Sequence, residues 1–154
     1  MGLELIEGAV DALKDYLDAN FAARVAALNT EYDDGITIED MKSWYVAMMP
    51  RIPEYPACVI LGKNGDPDGE GEGWMKSQHQ VEIITVATDA NTETLQRKLF
   101  RYIRAMIELA KASRSSIGYQ VNIGSWDFSD VYASQSSFLG GAKLTLFLKK
   151  YETA

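Results

Sequence analysis

The residues with the clearest metal-binding spacing lie in residues 62–73, which read GKNGDPDGEGEG. A calcium loop of the EF-hand type places oxygen ligands at its first, third and fifth positions and a bidentate glutamate at its twelfth. Asn64, Asp66 and Asp68 match the first three ligand positions, but the twelfth residue is Met75. Because strands rather than helices are expected on both sides, we predict no metal site here.

The same segment is also a poor phosphate site. No GK[ST] sequence follows it, and a phosphate would be repelled by four carboxylates. These belong to Asp66, Asp68, Glu70 and Glu72. The composition is typical of a solvated segment, so we predict a flexible acidic loop at 62–73 that joins two strands and reaches toward a partner or orders on assembly.

The remaining candidates for catalysis are isolated residues. His79 is the only histidine, and Cys58 is the only cysteine and lies in the apolar run ACVIL, where a buried thiol is favoured. Glu70 and Glu72 lack the rigid, partly buried setting that separates two carboxyl pKa values for acid–base work. We therefore predict no catalytic residues, no cofactor and no enzymatic activity.

Three arginines form the best candidate for a binding surface. Arg97, Arg101 and Arg104 are separated by four and three residues, which places them on one face of a helix. Two interpretations are open, a solvated helix face or a docking surface for an acidic partner. The carboxylates of this chain that could meet such a surface are Asp33, Asp34, Asp66, Asp68, Glu70 and Glu72.

Hydrophobic periodicity predicts two long helices. Apolar residues recur at helical spacing from Leu3 to Leu28, and the breaker-rich sequence LNTEYDDG follows. A second amphipathic helix is predicted at Thr92–Ala112, with Asn91 or Thr92 as its N-cap. We expect its apolar stripe to cover a sheet. The stripe consists of Leu95, Leu99, Tyr102, Ile103, Met106 and Ala110.

The strand pattern completes an α+β domain. The segment Val81–Val86 has apolar residues on both faces, so we expect it at the centre of a sheet. The predicted order is α-β-β-β-α-β-β, in a single domain spanning residues 1–154, with a mixed, mostly antiparallel sheet and the N-terminal and central helices packed on it. The predicted strands lie in SWYVAMMP, YPACVILG, GWMKSQHQVEIITVATD, GYQVNIGSWDFSDVY and GGAKLTLFLKKYE.

Charge and hydropathy narrow the class of protein. A formal net charge of −7 argues against nucleic-acid binding by counterion release, which requires clustered lysines and arginines. No segment approaches the roughly 20 apolar residues of a membrane span, and MGLELIEGAVDAL has no basic leader. We therefore expect a soluble intracellular protein without a membrane partner.

The order of these elements resembles the small neck and tail-completion proteins of long-tailed bacteriophages, and the tail terminators above all. The resemblance covers roughly residues 3–150. The polar hairpin tip at 130–141 departs from the family pattern, and its role stays open. The segments that carry the resemblance are the N-terminal helix, the WYV strand, PRIPEYPACVILG, the acidic connector, HQVEIITVATD and ETLQRKLFRYIRAMIELA.

The resemblance implies a structural virion protein without catalytic residues or cofactor. Members of the family form rings, commonly sixfold, that cap the tail tube and join it to the head connector. The implied partners are further copies of this chain in a hexameric ring, the tail tube protein, and head-connector or stopper proteins. DNA would pass through without specific binding, and the protein would reside in the virion neck, after assembly in the host cytoplasm.

Two alternatives to a tail terminator remain open. One is another neck component, such as a head-completion or stopper protein. The other is a small ligand-binding α+β domain or enzyme, which would need a concave pocket with convergent polar groups. For a ring, we expect Arg97, Arg101 and Arg104 of one subunit to face the carboxylates of the next, because a closed ring needs two different patches on each subunit.

Overall fold

Six strands form one mixed sheet, and the two long helices pack on the same face of it. The computed structural model describes residues 6–69, 74–134 and 136–153. The helices are α1 (Ile6–Tyr32), α2 (Thr92–Ala112) and α3 (Arg114–Ile117). The strands are β1 (Ser43–Tyr45), β2 (Ala57–Gly69), β3 (Trp74–Asp89), β4 (Gln120–Phe128), β5 (Tyr132–Ser134) and β6 (Ser137–Thr153).

The strand order across the sheet is β1-β2-β3-β6-β4, and β5 pairs with β6 beside this row. Only β1 and β2 are parallel; the other pairs are antiparallel. This arrangement confirms the predicted α+β class with a mixed, mostly antiparallel sheet. It also confirms the central place of β3, which pairs with β2 over Met75–Val86 and with β6 over Trp74–Asp89.

One hydrophobic core lies between the helices and the sheet. Phe21 of α1 connects three elements, because its ring meets the Trp44 ring edge-on at 5.6 Å between centroids and stacks on Tyr102 at 6.2 Å. All six residues of the predicted α2 stripe are buried. The sheet contributes buried apolar side chains from β2, β3 and β6, namely Cys58, Ile60, Val81, Ile83, Leu144, Leu146 and Leu148.

Helix α2 has the predicted bounds, and its cap is Asn91, whose side chain accepts a hydrogen bond from the Thr94 N–H at 3.0 Å. Helix α1 ends at Tyr32, within the segment LNTEYDDG where its end was predicted. Asn29 was expected to help end it, yet its side-chain amide donates to the Ile38 carbonyl and its oxygen accepts from the Ile38 N–H, both at 2.9 Å. Asn29 therefore holds the chain that returns after the helix.

The predicted acidic loop at 62–73 needs a correction, because residues 62–69 belong to β2. After an irregularity between Gly62 and Asn64, pairing with β3 continues to Gly69, which lies opposite Met75. Glu70 and Glu72 lie outside the described residues. Composition suggested a solvated loop, but β3 extends alongside this segment and supplies hydrogen-bond partners for its backbone, while β6 extends along the other edge of β3.

The C-terminal strands are also divided differently. The segment predicted as one strand at GYQVNIGSWDFSDVY contains β4 and only the first residue of the short β5, and β6 begins at Ser137, before the predicted GGAK start. The 130–141 tip is thus a small hairpin in which Tyr132 lies opposite Leu139. A further short helix, α3, follows α2 directly and reverses the chain at Gly118, whose φ of 77° places it in the left-handed region.

Candidate functional site

The Arg101 side chain is buried within the fold. Only 4% of its surface is exposed. Its guanidinium donates hydrogen bonds to both carboxylate oxygens of Asp34 and, at 2.6 Å, to the Ile36 carbonyl. It also lies over the Tyr32 ring, 3.9 Å from the centroid. The hydrogen bond from Arg101 holds the pKa of the Asp34 carboxyl below its ordinary value.

Arg104 is engaged in the same region. Its Nε donates to Glu108 Oε1 at 3.0 Å, one turn further along α2, and its guanidinium pairs with Glu31 at the end of α1. One of its nitrogens also donates to the Tyr32 hydroxyl at 3.2 Å. Arg101 and Arg104 therefore join the end of α1 to α2 within one chain.

These contacts correct the place of Arg101 in the predicted docking surface, whereas the predicted role of Arg104 in an interface stays a prediction. Arg101 is buried and its carboxylate partner, Asp34, belongs to the same chain, so Arg101 offers no exposed surface to a neighbour. Arg97 is exposed and pairs with Glu93 at 3.3 Å. Asp33 is exposed in the turn after α1, with a φ of 42°. The predicted role of Arg97 and Asp33 in an interface stays a prediction.

The structure describes only some parts of the acidic residues that were predicted to meet those arginines. The backbones of Asp66 and Asp68 lie in β2, opposite Gln78 and Lys76 of β3. Their side chains, together with Glu70 and Glu72, lie outside the described parts of the chain. On the outer side of β2, β1 pairs with Ala57–Val59 alone, so none of the described strands pairs with β2 on that side beyond Val59.

A groove at the opposite edge of the sheet collects positive charge, and we call it the basic groove. It has a volume of about 760 Å³ and lies where α2, α3, β4 and β6 meet. Its described lining includes four cationic residues and no acidic residue. The cationic residues are Lys111, Arg114, Lys149 and Lys150.

Buried aromatic packing supports one wall of the basic groove. Tyr119 is almost fully buried, with the Lys150 ammonium 5.2 Å from its ring centroid and the His79 ring, in an edge-on arrangement, 6.3 Å away. His79 is itself buried in β3. Within the described parts of the chain, no ion pair involves Lys111, Arg114 or Lys149. Three cations of the groove, Lys111, Arg114 and Lys149, are therefore not neutralised by any described acid of this chain.

A second groove, which we call the aromatic groove, lies along the same edge between α2 and β4. It has a volume of about 400 Å³, and apolar side chains form most of its lining. Phe100 packs edge-on against Phe128 with 5.0 Å between ring centroids. Nevertheless 49% of Phe100 and 54% of Trp126 are exposed. The full described lining is Phe100, Ile103, Arg104, Ile107, Glu108, Trp126 and Phe128.

Sequence reasoning missed both grooves. The Lys149–Lys150 pair was visible in the sequence, but Lys111 and Arg114 lie more than thirty residues earlier, and only the pairing of β4 with β6 brings the two groups together. The signal for the aromatic groove was Trp126, an aromatic residue next to Asp127 in a predicted strand. The sequence could not show that Trp126 is exposed, because this depends on the position of β4 at the edge of the sheet.

The described residues contain neither a metal-binding cluster nor a membrane-spanning helix. Among them, no cluster of three or more His, Cys, Asp or Glu side chains has the geometry of a metal site. Burial raises the pKa of the Cys58 thiol, which lies in the core. None of the helices in the described ranges combines the length and apolar character needed to cross a membrane.

Comparison with known proteins adds no relative. No protein-family model matches the chain, and no curated protein is significantly similar to it in sequence. The candidate site is therefore defined by its own geometry: a sheet edge at β4 that carries the basic and aromatic grooves, and a sheet edge at β2 that carries an acidic segment.

Proposed function

We propose that this chain is a structural protein of a long-tailed phage virion, a tail terminator that forms a ring, caps the tail tube and joins it to the head connector. Its partners in this proposal are further copies of itself, the tail tube protein and the head-connector or stopper proteins. The protein acts in the tail neck after assembly in the host cytoplasm, and DNA passes through the ring without specific binding. The order of elements described above supports this family assignment.

The observation that carries the proposal is the aromatic groove on the β4 edge. Large aromatic side chains that stay half exposed beside an apolar groove are typical of protein–protein interfaces, where they act as anchors that become buried on binding. Trp126 and Phe100 have this character, and Phe128 holds Phe100 in place. A subunit of an assembly needs such a surface.

The strand lengths give further support. Strands β2, β3 and β6 contain 13, 16 and 17 residues, about two to three times the usual strand length of about 5–6 residues. Their far ends pair with one another in the register Gly69, Met75 and Glu152. An extension of this kind offers a second surface, different from the β4 edge, and a ring of identical subunits is built from two different surfaces on each copy.

The test is assembly and tube capping by a Trp126→Ala variant. Native mass spectrometry measures the ring, and negative-stain imaging with purified tail tubes measures capping. We expect the parent to form a closed oligomer that sits on the tube end, and the variant to lose most of both, because the anchor of the aromatic groove is gone. Tyr132→Ala, which removes another exposed aromatic residue at the hairpin tip, is the matched control.

Two results would contradict the proposal. A parent protein that binds the head connector but never the tail tube would be another neck component. A parent protein that forms no oligomer and binds neither partner would favour the ligand-binding alternative.

A further inference from the structure

We propose that the basic groove of one subunit binds the acidic segment 66–72 of a second copy of this chain. The inference rests on the proposed ring and names the charged contact within it. It replaces the arginine surface at Arg97, Arg101 and Arg104 with a different set of cations. The occupant is a specific segment of a neighbouring subunit, DPDGEGE, which contains four carboxylates in seven residues.

The distribution of ion pairs singles out the basic groove. Helix α2 carries five cations, and four of them pair with carboxylates of the same chain. These four are Arg97, Lys98, Arg101 and Arg104. The fifth, Lys111, forms no ion pair with a described residue and lines the basic groove with Arg114 and Lys149. In a chain with a net charge of −7, a site of this kind attracts an anionic partner.

Asp66, the first residue of the acidic segment, lies at the same level as the basic groove, on the opposite edge of the sheet. Asp66 of β2 lies opposite Gln78 of β3, Gln78 lies opposite Lys149 of β6, and Lys149 lies opposite Gln120 of β4. Both Lys149 and Gln120 line the basic groove. One row across the sheet therefore has the acidic segment at its β2 end and the basic groove at its β4 end.

This geometry assigns the contact to two different copies. Three strand spacings of about 4.8 Å separate β2 from β4, or roughly 14 Å, and β3 and β6 fill the space between them. Asp66 is therefore separated by two strands from the basic groove of its own chain, and we assign the contact to a second copy. A second copy placed edge to edge brings its β2 edge beside the first copy's β4 edge at the same level, and repetition of this step gives a closed ring or a filament.

The expected contact is salt-sensitive and sets register. Exposed ion pairs are individually weak and are screened at physiological salt, so the aromatic groove on the same edge supplies the apolar part of the contact. Charge complementarity fixes which edges meet and at what level. The fraction of assembled protein should therefore fall as the salt concentration rises, but it should not reach zero.

A charge-swap experiment tests this contact. Native mass spectrometry at low salt follows the oligomer formed by three variants of the full chain. The groove variant is Lys111→Glu with Arg114→Glu, the segment variant is Asp66→Lys with Asp68→Lys, and the third variant combines all four substitutions. We expect each double variant to raise the protein concentration needed for half-assembly by about tenfold or more, and the combined variant to recover most of this loss.

The matched control is Lys42→Glu with Arg51→Glu, which makes the same change in net charge at exposed positions outside the basic groove. We expect it to assemble like the parent. Circular dichroism of each variant checks that the fold is retained. The combined variant contains every substitution present in the two double variants. If it assembles, the losses in the double variants cannot be explained by misfolding.

Three outcomes would overturn the inference: a parent that stays monomeric, a combined variant that stays disassembled, or a control that disassembles as much as the groove variant. Loss of binding to a short DNA duplex in the groove variant, with an unchanged oligomer, would assign the groove to nucleic acid instead. Rings that are lost in the double variants and recovered in the combined variant, but that never cap tail tubes, would contradict the tail terminator proposal. The inference about the charged contact would still hold.

Discussion

Arg101 of α2 and Asp34, in the turn after α1, form an ion pair in which only the arginine is buried; the guanidinium donates to both carboxylate oxygens although 67 residues separate them. A second donated hydrogen bond reaches the Ile36 carbonyl. The chain after α1 is thereby held on α2, the same helix that forms one wall of the aromatic groove.

The first prediction concerns the stability that this link provides. Arg101→Leu should lower the free energy of unfolding by about 1–3 kcal/mol, because the Asp34 carboxylate and the Ile36 carbonyl lose their partner. Urea denaturation followed by circular dichroism measures the change. Arg97→Leu, on the exposed part of the same helix, is the control and should change stability by less than about 0.5 kcal/mol. Equal losses in both variants would mean that Arg101 contributes no more than a surface arginine.

The second prediction concerns acid stability. The pKa of Asp34 is lowered in the folded chain by the hydrogen bond from Arg101. A carboxyl with a depressed folded pKa adds stability above its unfolded pKa of about 3.9, and this stability is lost as pH falls from that value through the lower folded pKa. Urea midpoints should therefore fall over this window.

Asp34→Asn isolates this contribution. The variant should be less stable than the parent at neutral pH and should show a shallower decline of the urea midpoint below about pH 4. Asp33→Asn, which removes a carboxylate from the same turn, is the control and should follow the parent. A parallel decline in the parent and in Asp34→Asn would remove Asp34 as a cause.

The third prediction concerns the core beneath α2. Leu99 is fully buried, and Leu99→Ala should cost about 2–5 kcal/mol through lost apolar contact and a residual cavity. Leu99→Met conserves volume and should cost less than about 1.5 kcal/mol. Chemical denaturation of both variants compares the two values, and a loss below about 1 kcal/mol for Leu99→Ala would place this residue outside the tight core.

The fourth prediction concerns the irregular pairing of β4. Gly124 lies at the shift of register between β4 and β6, and a Cβ there would stand 3.0 Å from the Thr145 carbonyl oxygen and 2.8 Å from the Phe147 ring. Gly124→Ala should therefore lower the free energy of unfolding by about 1–3 kcal/mol. Since β4 carries Trp126, the same variant should also reduce assembly.

Gly141→Ala is the matched control for Gly124→Ala. A Cβ at Gly141 would meet its nearest atom at 3.4 Å, close to an ordinary van der Waals contact, so this change should be near neutral. Thermal unfolding and native mass spectrometry of both variants provide the comparison. If Gly124→Ala and Gly141→Ala have similar stability and assembly, the lack of a side chain at Gly124 is required for neither.

Local patterns in the sequence determined the elements. The apolar stripe of α2 repeats every three to four residues, and Asn91 is a good N-cap, so both the bounds and the buried face of this helix followed from residues within one or two turns. The continuous apolar run at Val81–Val86 likewise predicted a central strand. The α+β class followed from the order of such segments along the chain.

Ion pairs and strand pairs between residues far apart in sequence determine the candidate binding surfaces. The sequence showed that Arg101 could bind a carboxylate, but only the packing of α1 on α2 chose Asp34 of the same chain. Composition at 62–73 predicted a loop, whereas the extended β3 and β6 continued the sheet to Gly69. The basic groove joins Lys111 and Arg114 to Lys149 and Lys150 only because β4 pairs with β6. Periodicity and capping act over a few residues, while ion pairs and strand pairs join residues far apart in sequence, so only the tertiary structure could place them.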